Sequence, residues 1–180
     1  MRRALRIIVG LALAALHAAS AAAQTIQITP LARDGRVLVS FRLSDSFNDP
    51  VKEAIHSGTN ITFYYEVELR RQAALWLDRT MNSAIVAASV RFDNLTRKYQ
   101  YTLMFNGRTE KVDQTDSYDV VRDWLTQFDK LPLFNSASLE RNVEYYVRVR
   151  AHTTLRNATS VWPWKQHDVM AQVKFTFLPH

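Results

Sequence analysis

From residue 25 onward the chain is patterned mostly in twos. Val37, Val39, Phe41 and Leu43 alternate with Leu38, Ser40 and Arg42. That is the period of a half-buried strand, whose successive side chains face opposite ways. Asp34-Gly35 before it is a turn dipeptide, which predicts a hairpin with a short first strand near Ile26–Ile28. A long strand is predicted over Ile61–Arg71, with Ile61, Phe63, Tyr65, Val67 and Leu69 on one face and Tyr64, Glu66, Glu68 and Arg70 on the other. Two further runs, about Ala84–Phe92 and Tyr99–Phe105, flank the polar break Asp93-Asn94-Leu95-Thr96, which suits a hairpin turn. Asn106-Gly107 is a second turn signal and leads into a strand near Thr109–Val112. Near the end, Val143, Tyr145, Val147, Val149 and Ala151 alternate with Glu144, Tyr146, Arg148, Arg150 and His152. Ala171, Val173, Phe175 and Phe177 alternate with Gln172, Lys174 and Thr176.

Two segments switch to helical spacing. Asp49-Pro50 reads as an N-cap followed by proline in the first turn, with Gly58 at the far end and Val51, Ala54 and Ile55 on one face. A second helix is predicted from about Ser117 to Phe128, capped by Asp116 and ended by Leu131-Pro132. Residues 133–142 fit neither period and suggest a short turn of helix. Six or more antiparallel strands, each with one apolar face, must cover those faces against something. The expectation is therefore an all-β or β-rich fold: an antiparallel β-sandwich-like domain over residues 24–180 with two short peripheral helices.

The first 23 residues break this pattern. MRRALRIIVGLALAALHAASAAA has a basic start, an apolar run from Ile7 to Leu16 and small residues ending in Ala21-Ala22-Ala23. In that order these make a secretory signal peptide cleaved before Gln24. The apolar run is shorter than the roughly 20 residues that span a bilayer, so no stable membrane span is expected after cleavage.

Composition narrows the function classes. The 180 residues are 47% hydrophobic and 22% charged, which excludes intrinsic disorder and collagen-like repeats. There is no cysteine, which removes zinc ribbons, thiol catalysis and a lipidated N-terminus. An exported domain without disulfides points to the bacterial periplasm. Arg2, Arg3 and Arg6 supply +3 of the formal +6, leaving only +3 on the other 157 residues, so no nucleic-acid partner is expected.

Chemistry-bearing motifs are sparse. There is no GxSxG, HExxH, P-loop or dinucleotide-binding glycine pattern, and His56, His152, His167 and His180 are not at metal-ligand spacing. No catalytic residue, cofactor or metal site is assigned. Asp113, Asp116, Asp119 and Asp123 stand three and four apart, which helix capping and dipole compensation explain without a cation. Arg148, Arg150 and His152 share a strand face, with Lys174 on a neighbouring strand and Glu66, Glu68 and Arg70 on a comparable face. Cross-strand ion pairing and an anion-binding surface are the two readings of that arrangement. In Trp162-Pro163-Trp164 the proline fixes an extended segment whose indoles point apart, to bind a partner or to plug the end of the core, as Trp76 also would.

Several strings together resemble a known bacterial family. They are Ser40-Phe-Arg-Leu-Ser-Asp-Ser-Phe47, Tyr65-Glu-Val-Glu-Leu-Arg-Arg71, Leu75-Trp-Leu-Asp-Arg-Thr80, Val90-Arg-Phe-Asp-Asn-Leu-Thr-Arg97, Tyr145-Tyr-Val-Arg-Val-Arg150 and Trp162-Pro-Trp164. In order along the chain, they are similar to the family catalogued as domain of unknown function 4390. That resemblance implies an exported proteobacterial protein of one domain and brings no catalytic residues with it. The expected function is a periplasmic, non-catalytic protein-interaction module, accessory to an envelope or sensor system, with an envelope protein as partner. Arg148, Arg150, Trp162 and Trp164 are the candidate partner-binding residues. The alternatives are a carrier of a small hydrophobic ligand in a sandwich cavity, and a hydrolase.

Overall fold

Among the described residues, the alternating segments become nine strands in two antiparallel sheets. The computed structural model describes residues 25–71, 79–155 and 169–178; the predicted leader peptide and Trp76, Trp162, Trp164 and His167 lie outside them. In chain order the elements are β1 (Thr25–Arg33), β2 (Arg36–Ser44), α1 (Asp49–His56), β3 (Ile61–Arg71), β4 (Arg79–Asp93), β5 (Lys98–Phe105), β6 (Arg108–Thr115), α2 (Tyr118–Thr126), β7 (Gln127–Asn135), β8 (Glu144–Leu155) and β9 (Val169–Thr176). The smaller sheet has the order β1-β2-β7 and the larger β6-β5-β4-β3-β8-β9. The predicted antiparallel sandwich with two short helices is the observed architecture.

Local chemistry sets the turns. Asp34 and Gly35 between β1 and β2 both have positive φ (51° and 73°), as do Asn106 and Gly107 between β5 and β6 (47° and 80°). Paired positive φ values are what a two-residue hairpin demands, and Asp-Gly and Asn-Gly tolerate them best. Helix α1 begins one residue earlier than the sequence suggested: Asn48, not Asp49, is the cap, its side chain accepting from the Val51 amide at 3.3 Å. Asp49 instead pairs with Lys52 at 3.0 Å on the exposed first turn. Gly58 follows the helix at φ 81°, the left-handed exit that glycine allows. Helix α2 is capped by Ser117 rather than Asp116, and ends at Thr126, short of Phe128.

The largest departure from the sequence reading is β7. Residues 127–135 continue directly from α2 as an edge strand, where a helix end and an irregular stretch were expected. Its pairing with β2 shifts register twice, and Lys130 has φ 47°. These irregularities break the alternation, so Phe128 and Phe134 are buried six positions apart with Leu131 packed between them. Three-residue spacing mimics a helix. Pro132 is tolerated because an edge strand can leave one side of its backbone unpaired.

The core lies between the sheets. Inward from the larger sheet point Ile61, Phe63, Tyr65, Val67 and Leu69 of β3, flanked by Val86, Ala88 and Val90 of β4 and by Val147 and Val149 of β8. Val37, Val39, Phe41 and Leu43 of β2 meet them. At the centre, the rings of Phe41, Tyr65 and Phe128 lie 4.7–5.1 Å apart, centroid to centroid. The Tyr65 hydroxyl donates to the Leu125 carbonyl at 2.6 Å, and the Tyr101 hydroxyl to the Trp124 carbonyl at 3.0 Å. Both acceptors belong to the last turn of α2, whose carbonyls have no partner within the helix.

Burial pushes the Tyr65 phenol well above the usual tyrosine range, with Tyr101 adding to the shift, and burial raises Tyr101 itself. The unfolded chain ionises its tyrosines near pH 10 while these two stay protonated in the fold, so the unfolded state binds fewer protons at high pH. Their contribution is whole below about pH 10 and is lost as pH rises beyond it. Each is expected to steepen the decline by up to about 1.4 kcal/mol per pH unit. Urea unfolding at a series of alkaline pH values should show that decline, and Tyr65→Phe should flatten it. It should also lower neutral-pH stability by about 1–3 kcal/mol, because the Leu125 carbonyl is left unsatisfied. An unchanged alkaline slope in Tyr65→Phe would contradict this.

Candidate partner-binding face

The side chains that alternate with the core residues of β3 and β8 form the outer face of the larger sheet. Register places Glu66 opposite Arg150 and Glu68 opposite Arg148. The pairs close: Arg148 Nη2 lies 2.6 Å from Glu68 Oε2, and Arg150 Nη1 lies 3.5 Å from Glu66 Oε2. Arg70 Nη1 approaches the same Glu68 oxygen at 3.4 Å, and its guanidinium lies 5.8 Å from the centre of the Tyr146 ring. On the next strand, Lys174 Nζ bonds Glu144 Oε1 at 2.8 Å. Strands hold these groups in place because residues directly opposite in an antiparallel pair stand about 5 Å apart on one face.

The ladder is neither purely charged nor strongly cationic. It sets Arg70, Arg148, Arg150 and Lys174 against Glu66, Glu68 and Glu144, so the carboxylates offset most of the positive charge. Of the two readings of Arg148 and Arg150, cross-strand pairing is what the geometry displays. Beside the ladder, the Tyr64 and His152 rings stack at 5.2 Å and 10°. The row Ile85–Glu66–Arg150–Met170 crosses four strands, and its two ends are apolar and exposed, at 46% and 54%. Sequence reasoning named Arg148 and Arg150 but missed Tyr64, Ile85 and Met170. Their outward alternation was visible, whereas the register that joins them across strands was not.

The remaining sequence candidates have structural employment. Arg122 pairs with both Asp119 and Asp123 at 3.1 Å, and Lys111 with Asp113 at 3.1 Å. Backbone and side-chain bonding to Asp113, chiefly from the Gln114 amide and then from Lys111, holds its carboxyl below the usual range. His56 Nε2 meets the Tyr99 hydroxyl at 2.7 Å while its ring stacks on Tyr118, so this histidine fastens α1 to β5 and α2. Among the described residues, neither His56 nor His152 is hydrogen-bonded to a carboxylate or a serine. Among the described residues, an open cleft on the smaller sheet lies between Ser40, Arg42, Gln127 and Asp129, and another lies beside Asn60, Arg91 and Gln100. Trp162 and Trp164 fall outside the described residues.

A family model described as domain of unknown function (DUF4390) matches residues 18–160, and the chain belongs to that family. The match takes in every element from β1 to β8; β9 and the Trp162-Pro163-Trp164 string follow it. No curated protein and no solved structure matches the chain.

The two rungs of the ladder should differ in energy. Glu68 accepts from two guanidiniums, and the side chains at that rung are 13–23% exposed, against about 40% for Glu66 and Arg150. Glu68→Gln, which leaves Arg148 and Arg70 facing a neutral amide, is expected to cost about 1–2 kcal/mol in urea unfolding. Glu66→Gln should cost less than about 0.5 kcal/mol, as exposed pairs do. Equal costs at both rungs would contradict the geometry.

Proposed function

We propose that this DUF4390 member is an exported periplasmic module that binds a partner protein without chemistry, as an accessory to an envelope or sensor system. The observation that carries the reading is the outer face of the larger sheet. Its arginines are held in place by cross-strand carboxylates before any partner arrives, and exposed Ile85 and Met170 frame them.

Such a surface suits contact between proteins for three reasons. Groups fixed in advance lose little side-chain freedom on binding, so less of the interaction is spent on ordering them. Arginine, methionine and aromatic side chains are enriched where proteins meet, and Tyr64 adds the aromatic component. Mixed charge sets register against a complementary face and rejects mismatched ones. The basic, apolar and small-residue segments of residues 1–23 support delivery to the periplasm, where the partner would be an envelope protein.

Crosslinking in the native periplasm followed by affinity recovery tests both parts. The recovered protein should begin at Gln24 by mass spectrometry. The Arg148→Ala/Arg150→Ala variant should capture its partner at least about tenfold less well, while Arg42→Ala on the opposite sheet captures normally. A stably folded double variant with undiminished capture would remove this face from the account, and retention of Met1 in membrane fractions would overturn export.

A further inference from the structure

The six-stranded sheet ends at β6, which pairs with β5 on one side only among the described residues. Its other side carries backbone donors and acceptors suited to a further strand. An open edge alone says nothing about its occupant; the order of side chains along this one does. Val112 is 70% exposed and shares the outer face with its opposite number Thr102, whereas Lys111 and Asp113 lie on the other face, bridged at 3.1 Å.

When a second copy of the same strand pairs antiparallel and continues the sheet, its faces must match, so only registers centred on a residue are allowed. Centring on Glu110, Lys111 or Asp113 sets that charge against its own copy. Centring on Gln114 sets Val112 opposite the acid Asp116. Centring on Val112 places valine against valine and Lys111 against Asp113 of the other chain, twice by symmetry. Among the registers centred on residues 110 to 114, beyond the register shift at Glu110, that one alone brings opposite charges together and like charges nowhere. We propose that the protein self-associates through β6 in this register, joining two six-stranded sheets edge to edge.

The contact is short. The register shift between the Leu103–Lys111 and Met104–Thr109 pairs makes a bulge at Glu110, which ends regular pairing on that side. Few backbone bonds form, so the dimer is weak and concentration-dependent, in the range of small transient interfaces. This surface is separate from the Arg148/Arg150 face, so either proposal can fail alone.

Sedimentation equilibrium of the protein, raised in steps to about 1 mM, should show the mass moving from monomer toward dimer. Lys111→Glu and Asp113→Lys each place like charges across the two-fold axis and should weaken association by about tenfold or more. An equimolar mixture of those two variants restores both opposite-charge pairs and should dimerise again, as should the double variant. Thermal melting confirms that each variant is folded; if one single variant is not, the other and the double variant carry the test. A monomer at every concentration, a dimer indifferent to either single substitution, or a mixture that stays monomeric would each overturn the proposal.

Discussion

Everything in this fold leans on how one helix ends. Three C-terminal carbonyls of α2 are closed by three different donors: the Gln127 amide on Asp123, the Tyr101 hydroxyl on Trp124 and the Tyr65 hydroxyl on Leu125. A helix that terminates inside a protein must satisfy those carbonyls or lose free energy at each one. Here two of the donors stand on the larger sheet. The chain then passes without a loop into β7 of the smaller sheet, where Phe128 packs on Tyr65 and Phe41. The interaction that ends the helix therefore also fixes the distance and angle between the two sheets.

That constraint connects the core to the proposed contact surface. Tyr65 lies between Tyr64 and Glu66, so a strand held from inside by its buried ring presents its outward neighbours in one fixed register. Glu66 and Glu68 then meet Arg150 and Arg148 without further adjustment. The same rings fill the space between the sheets, and the energy of the fold is concentrated there. The more exposed Glu66–Arg150 rung of the ladder contributes less to stability and remains available for contact.

Much of the architecture was legible in the sequence because period-two alternation survives wherever one face is buried and the other wet. The β3 and β8 patterns gave both the core residues and the charged face, and Asp34-Gly35 and Asn106-Gly107 located two hairpins. Legibility failed where geometry departs from the regular period. Lys130 at positive φ and two register shifts gave β7 a helical spacing, and Asn48 and Ser117 took the caps from adjacent aspartates that looked equally suitable. Pairings between distant residues, such as Tyr64 with His152 or Tyr65 with Leu125, depend on strand order, which local pattern does not encode. Arg148 and Arg150 were readable as a pair, but their counter-charges became definite only with the β3–β8 register.

The tyrosine closure of α2 makes the two sheets one cooperative unit. Native-state hydrogen exchange on the protein and on Tyr65→Phe tests it most directly, with the amides of β2 and β7 compared against those of β3 and β8. All four strands should open with a common free energy, and the substitution should lower that value for all of them together. Loss of protection confined to β2 and β7, with β3 and β8 unchanged, would show that the sheets are stable independently and would contradict it.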